Sequence, residues 1–315
     1  MLDRRTSFTT RIHSFASATH ARVQSRWPGM RKHLGLYAQV ARIDRPIGAL
    51  LLLWPTLWAL WVAGDGRPSR HVLLVFVCGV FLTRSAGCVL NDIADRGYDP
   101  HVQRTRLRPL ATGALSPAEA LKLAGVLLGA AFLLVLTTNR LTILLSFIAL
   151  LLAALYPYMK RHTYLPQFVL GMAFSWSIPM AFAAQTGAVP QIAWLLFIAN
   201  LLWTVVYDTI YALVDREDDL KLGIKSTAIL FDDADRLIIG IIQAMFLLAL
   251  IIVGRRLELG LPFAASLAAA TVFMAYHQYL IKDRSPRKCL QAFHHNNWIG
   301  LTIFAGFAVA YGLRS

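Results

Sequence analysis

Charged residues are scarce in this chain of 315 residues, and their scarcity argues against an ordinary soluble domain. Asp, Glu, Lys and Arg make up only 15% of the chain, whereas 57% is hydrophobic, and soluble proteins are about a quarter charged. The apolar residues fall into blocks of about 20, the length of a membrane-spanning helix. These blocks lack the alternation of apolar and polar residues that a membrane β-barrel requires. The sequence therefore predicts an all-α membrane protein.

Cysteine is also sparse, and no secretory leader is visible. The three cysteines include no C-x-x-C pair, which argues against a disulfide framework or a zinc clip. Residues 1–35 are basic, hold one acid, Asp3, and lack the apolar run of a signal peptide. They fit a basic cytoplasmic tail or a mitochondrial transit peptide. We expect 1–35 to be an N-terminal extension and 36–315 to be a single transmembrane domain.

The apolar blocks predict nine spans, and the basic residues orient them. Of the 31 Lys and Arg residues, 23 lie in the N-terminal segment and every second loop after it, and six lie in the other loops. This asymmetry places the N-terminus in the cytoplasm. It also accounts for the net charge of +14, so we expect no nucleic-acid partner. The predicted spans are 47–63, 71–90, 119–138, 141–158, 166–185, 191–211, 237–253, 262–280 and 298–313.

The acidic residues concentrate in two segments on the predicted cytoplasmic side. Of the 17 acids, four lie in 92–119 and eight in 208–235. In the first segment, one intramembrane arginine shares a helical stripe about 80° wide with two carboxylates and an amide. Asp92 lies just off that stripe, and we expect Pro100 to end the helix. The residues on the stripe are Arg84, Asn91, Asp95 and Asp99.

The second segment repeats this arrangement. Its stripe consists of Asp208, Tyr211, Asp215 and Asp219, while Glu217 points away and is expected to be solvated. Two acidic stripes on one membrane face would repel each other unless cations lie between them. Oxygen ligands favour Mg²⁺, which often binds substrate phosphates as well. The paired segments therefore predict a magnesium site.

Basic residues beside these segments suggest what the metal would bind. Arg106, Arg108 and the pair Lys160 and Arg161 could clamp a diphosphate. A diphosphate at the interface of an apolar bundle indicates a polyprenyl diphosphate, whose allylic C–O bond ionises when cations stabilise the leaving group. Aromatic walls would shield the resulting carbocation. The candidate wall residues are Tyr156, Tyr158, Trp176, Trp203 and Tyr211.

The two patterns Asn91-x-x-x-Asp95-x-x-x-Asp99 and Tyr211-x-x-x-Asp215-x-x-x-Asp219 resemble the signature motifs of the UbiA superfamily of intramembrane prenyltransferases. The resemblance runs from about Ile43 to Gly312 and is strongest to the bacterial branch that prenylates 4-hydroxybenzoate. It implies a nine-transmembrane-helix bundle around a central cavity, and it makes prenyl transfer in ubiquinone biosynthesis the expected activity.

The resemblance also implies roles for individual residues. Tyr211 and a diphosphate oxygen, with Asp208, are the open candidates for the base. The implied metal ligands are Asn91, Asp95, Asp99, Asp215 and Asp219. The implied diphosphate ligands are Arg108, Lys160 and Arg161, with Asn91 assisting, and Arg84 or Arg45 would bind the acceptor carboxylate.

In the implied reaction, the ring carbon ortho to the hydroxyl of 4-hydroxybenzoate attacks the allyl cation. The product would be 3-polyprenyl-4-hydroxybenzoate. A dihydroxynaphthoate or homogentisate acceptor remains an alternative, and a secondary transporter is a distant one. We expect a cell inner membrane with the active site facing the cytoplasm, or a mitochondrial inner membrane if residues 1–35 are a transit peptide. Association with other quinone-biosynthesis enzymes is a further expectation.

Overall fold

The computed structural model describes residues 33–314, which contain helices and no strand. Most of the predicted N-terminal extension, residues 1–32, lies outside this range. Residues 33–40 are helical. The subsequent α-helices are α1 (Ile47–Ala63), α2 (Arg70–Asp95), α3 (Pro117–Val135), α4 (Arg140–His162), α5 (Pro166–Ser175), α6 (Ser177–Thr186), α7 (Gln191–Leu222), α8 (Thr227–Leu230), α9 (Asp235–Arg256), α10 (Gly260–Leu280) and α11 (Pro286–Gly312).

Each predicted span coincides with a helix, and the span 166–185 coincides with the α5–α6 pair. Within the described residues, seven helical segments are long and apolar enough to cross a membrane. The helices at the first and ninth predicted spans do not meet that standard. Helix α1 has only 17 residues, and the first half of α11 carries polar residues such as His294 and Asn297. The structure therefore gives seven candidate spans.

Local sequence explains where several helices begin and end. Helix α3 begins with a capping box, in which the Ser116 hydroxyl and the Glu119 carboxylate each bind the other's backbone N–H. Asn139 caps the N-terminus of α4, where its side chain accepts a hydrogen bond of 3.0 Å from the Thr142 N–H. Helix α7 ends at Gly223, which has φ +68°, a conformation that glycine adopts without strain.

The bundle packs around two buried tryptophans that join α1, α7 and α11. The rings of Trp58 and Trp203 stack at 5.4 Å between centroids. Their indole N–H groups donate to the Gly300 carbonyl at 3.1 Å and to Asn296 Oδ1 at 3.0 Å, so both buried polar groups are satisfied. The expectation that Trp203 lines a substrate pocket is wrong, because its ring is part of the packed core.

The two carboxylate segments differ in backbone conformation. Helix α7 runs unbroken through the second segment, as the periodicity predicts. Helix α2 stops at Asp95, and a turn leads into a short 3-10 helix at Asp99–His101. The expectation of one helix through Asp99 is therefore wrong, because Gly97 weakens the helix and Pro100 disfavours the helical conformation of the residue before it.

Candidate active site

A polar cavity of about 150 Å³ lies where α2, α4 and α7 meet the loops that follow them. Its wall contains every residue for which the sequence suggests metal binding. Five of its side chains are acidic and four are basic, so the wall has no positive surplus. The charged and hydrogen-bonding residues discussed below are Asn91, Asp95, Asp99, Arg104, Arg108, Tyr156, Lys160, Asp208, Tyr211, Asp215, Asp219 and Lys225.

Basic side chains pair with the motif carboxylates in this cavity. The Lys160 ammonium lies 2.5 Å from Asp95 Oδ2, and Asn91 donates to the same oxygen at 3.0 Å. The Lys160 carbonyl accepts a hydrogen bond of 2.9 Å from the Lys225 N–H. This backbone contact ties the end of α4 to the loop that follows α7. The loop therefore helps to hold Lys160 beside Asp95.

Arg104 is a cavity residue that the sequence analysis did not single out. Its guanidinium binds the Asp215 carboxylate and lies 4.7 Å from the centre of the Tyr211 ring. Asp215 and Tyr211 both belong to the second motif. Three arginines at alternate positions, Arg104, Arg106 and Arg108, follow the first motif. Their spacing gave no reason to prefer Arg104, because its partners Tyr211 and Asp215 are 107 and 111 positions away in the chain.

Arg108 connects the cavity to a carboxylate behind its wall. Its Nη1 lies 3.1 Å from Asp99 and 3.0 Å from Asp92 Oδ1. Burial disfavours the charged form of Arg108, but the carboxylates of Asp92 and Asp99 outweigh it and raise the pKa of the guanidinium. Asp92 itself is buried and also binds Arg42 at 2.8 Å. Helical periodicity puts Asp92 just outside the acidic stripe and gives no indication of this contact.

The donor set in the cavity fits a magnesium ion. It consists of carboxylate oxygens and the Asn91 side chain, and one buried oxygen, Asp95 Oδ1, has no hydrogen-bond partner among the described residues. Oxygen ligands of this kind are those that Mg²⁺ prefers. Within residues 33–314, no three His, Cys, Asp or Glu side chains converge closely enough to hold a metal.

A second, apolar cavity of about 460 Å³ adjoins the polar one. Its wall is formed mainly by α2 to α6, and Tyr156 lines both cavities. Arg84 lies at this wall. The guanidinium donates to the Cys88 thiol at 3.0 Å and lies 5.5 Å from the centre of the Phe174 ring. Its buried Nε has no hydrogen-bond partner. No acidic side chain among the described residues is in direct contact with the guanidinium, and Asp208 interacts with it only at longer range.

Other predicted site residues lie outside both cavities. Arg45 is exposed and lies 3.6 Å from Asp44. Arg161 is also exposed, and its Nη2 donates to the Ala94 carbonyl at 2.5 Å. The expected aromatic walls are correct for Tyr156 and Tyr211. They are wrong for the other three residues, Tyr158, Trp176 and Trp203, which line neither cavity.

A family model described as the UbiA prenyltransferase family matches residues 52–300. The chain belongs to this family. Among its UbiA relatives, a 4-hydroxybenzoate octaprenyltransferase of Ectopseudomonas mendocina is 59% identical over 88% of this chain and 94% of the relative. One of Aeromonas hydrophila is 60% identical over 90% of this chain and 99% of the relative. The resemblance seen in the two motifs is thereby confirmed.

Solved structures of UbiA homologues share the fold. A homologue from Aeropyrum pernix K1 superimposes with a TM-score of 0.73 at 24% identity, covering 82% of this chain and 97% of that one. A homologue from Archaeoglobus fulgidus, bound to GPP and Mg²⁺, gives a TM-score of 0.67 at 18% identity, covering 87% of this chain and 99% of that one. The helical bundle described above is thus the UbiA fold.

Proposed function

We propose that this UbiA protein transfers a polyprenyl group from polyprenyl diphosphate to 4-hydroxybenzoate in ubiquinone biosynthesis. The observation that carries the proposal is the meeting of two cavities at Tyr156: one lined by both acidic motifs, the other apolar. A polar head and a long hydrocarbon tail match this pair of cavities. The names of the relatives that are 59% and 60% identical support the acceptor.

The four motif aspartates and Asn91 would hold Mg²⁺, with Asp95 and Asp215 contributing one carboxylate from each motif. The metal supplies Lewis acidity that stabilises charge on the leaving diphosphate. Lys160, Arg104 and Arg108 have their charges at the same wall, so each can exchange a carboxylate for a phosphate oxygen. Such prepositioned cations stabilise the leaving group as the allylic C–O bond breaks.

The apolar cavity would hold the prenyl chain and exclude water from the allyl cation. Tyr156, at the junction of the two cavities, presents an aromatic ring where that cation would form. Arg161 lies outside the polar cavity, beside Tyr98 and Tyr158. We therefore assign it a weaker, long-range attraction for the diphosphate.

Arg84 would bind the carboxylate of the acceptor, because a guanidinium with a buried, unpartnered Nε and no direct ion pair attracts an anion. Arg45 is the less favoured candidate, since its side chain is exposed beside Asp44. The ring carbon ortho to the hydroxyl forms the new C–C bond and then loses its proton. Asp208 and Tyr211 line the polar cavity and are the protein groups proposed to accept that proton.

The membrane arrangement is part of the same proposal. Residues 36–315 would form one domain with nine spans, in a cell inner membrane, with the N-terminus and the polar cavity on the cytoplasmic side. The distribution of 23 basic residues against six supports this orientation. Association with other quinone-biosynthesis enzymes would be tested by crosslinking in native membranes.

Prenyl transfer in membranes tests the proposal. Wild type, Asp95→Ala and Asp215→Ala would be compared with 4-hydroxybenzoate and octaprenyl diphosphate, with and without a chelator. Glu217→Ala is the matched control, because Glu217 is an exposed acid on the same helix as Asp215. We expect Mg²⁺-dependent product in wild type and the control only. If only a dihydroxynaphthoate or homogentisate gave product, the proposed acceptor would be wrong and prenyl transfer would stand. If no acceptor gave product, the proposal would be rejected.

A further inference from the structure

Asp92 lies within the first motif, directly after Asn91, but its buried carboxylate faces away from the polar cavity. It is absent from the cavity wall, and only 2% of its side chain is exposed. A carboxylate buried in this way requires cationic partners. Its two partners come from distant parts of the chain, Arg42 before α1 and Arg108 in the loop after α2.

The three residues form an ordered chain of contacts. Arg42 Nη2 donates to both oxygens of Asp92, at 2.9 and 2.8 Å. Arg108 Nη1 approaches Asp92 Oδ1 at 3.0 Å and both oxygens of Asp99 at 3.1 Å. One guanidinium nitrogen is thus shared between a carboxylate inside the cavity and one behind its wall.

The two carboxylates that bind Arg108 are not equivalent. Asp99 lines the cavity and is a proposed metal ligand. When it binds the metal, its carboxylate is no longer fully available to Arg108. Asp92 is absent from the cavity wall, so metal binding there does not compete for its contact with Arg108. Of the two, only Asp92 can act as a permanent anchor for the guanidinium.

We infer that Asp92 is a positioning residue that holds Arg108 at the cavity wall, where Arg108 binds the diphosphate, and that Asp92 is not a metal ligand. The inference rests on the proposed function. Arg42 supplies the second cation that a buried carboxylate requires. A guanidinium has five N–H donors, and the Asp92 contact uses one.

The test compares Asp92→Asn with wild type in three measurements. The KM for octaprenyl diphosphate is expected to rise about 10- to 100-fold, the effect of weakening one charge-assisted contact. The Mg²⁺ concentration for half-maximal rate is expected to stay within twofold of wild type. Binding of a non-reactive prenyl thiolodiphosphate to the purified protein, measured by calorimetry in detergent without turnover, should weaken by the same factor as KM rises.

A double-mutant cycle separates positioning from other effects. If Asp92 acts through Arg108, Asp92→Asn adds little to the KM increase caused by Arg108→Gln. Arg42→Gln is the matched control, because it removes the other partner of Asp92 and leaves the Arg108 contact in place. We expect Arg42→Gln to lower thermal stability and to leave the KM within twofold.

Several results would overturn the inference. These are an unchanged KM and thiolodiphosphate affinity in Asp92→Asn, additive effects with Arg108→Gln, or a raised Mg²⁺ requirement. An equal KM increase in Arg42→Gln would show that the network only supports the fold. Should Asp92→Asn fail to fold, Asp92→Glu keeps the charge while displacing the carboxylate, and it must show the same KM increase. Wild type without any prenyl transfer would instead reject the proposed function.

Discussion

Replacing Arg84 with glutamine tests whether the acceptor is recognised through its carboxylate. The Arg84 guanidinium has one weak thiol partner, Cys88, and a buried Nε without any, so its donors are available to an anion. A hydrogen bond to a charged group contributes about 1.5–3 kcal/mol. Since about 1.4 kcal/mol corresponds to a factor of ten, we expect the KM for 4-hydroxybenzoate to rise about 10- to 150-fold in Arg84→Gln.

A neutral acceptor analogue makes the assay specific. The analogue 4-hydroxybenzamide has the same ring and hydroxyl but no negative charge. Its KM with Arg84→Gln should match that with wild type within about threefold, because a neutral amide gains little extra binding energy from a charged partner. Arg70→Gln serves as the control, since Arg70 is an exposed arginine on the same helix as Arg84 and lines neither cavity. Equal KM changes for both acceptors, or no change for either, would refute the carboxylate contact.

Three other changes follow from the packing. A Cβ on Gly48 would lie 2.6 Å from the Arg84 Nε, so Gly48→Ala should displace the guanidinium and raise the KM for 4-hydroxybenzoate, while thermal stability stays near wild type. Gly129 lines the apolar cavity, Gly125 does not, and both have open space around them. Gly129→Leu should therefore slow transfer from octaprenyl diphosphate more than from geranyl diphosphate, and Gly125→Leu should affect neither, in rate assays with each donor. Trp203→Ala removes a fully buried ring and should lower the free energy of unfolding by about 3–5 kcal/mol, measured by denaturation in detergent; a loss below 1 kcal/mol would contradict its place in the core.

Helical periodicity predicted the second motif well because α7 is uninterrupted. Asp215 and Asp219 lie on one face of it, as a period of 3.6 residues requires. The same reasoning failed at Asp99, where a turn follows Asp95 and the loop, rather than the helix, carries the carboxylate into the cavity. Asp99 still reaches the wall because the loop folds back, with the Thr105 hydroxyl donating to the Asp99 carbonyl at 3.0 Å.

Contacts between distant parts of the chain were beyond the reach of pattern analysis. Asp92 and Arg42 are 50 positions apart, and nothing in the spacing of either indicates that they meet. Trp203 is an aromatic residue of the kind that lines a prenyl pocket, but its complete burial, its stacking on Trp58 and its hydrogen bond to Asn296 place it in the core. The sequence therefore predicted which residue types gather at the polar cavity, but not which cation binds which acid.

The ion pairs of the polar cavity have a consequence for the end of the catalytic cycle. Lys160, Arg108 and Arg104 each have a carboxylate partner within the protein. In the proposed reaction, the inorganic diphosphate that remains after transfer would compete with those partners. Re-formation of the three ion pairs lowers the free energy required to release the diphosphate. The same cations can then assist cleavage of the C–O bond without holding the diphosphate so tightly that its release is slow. Product release often limits the turnover of enzymes.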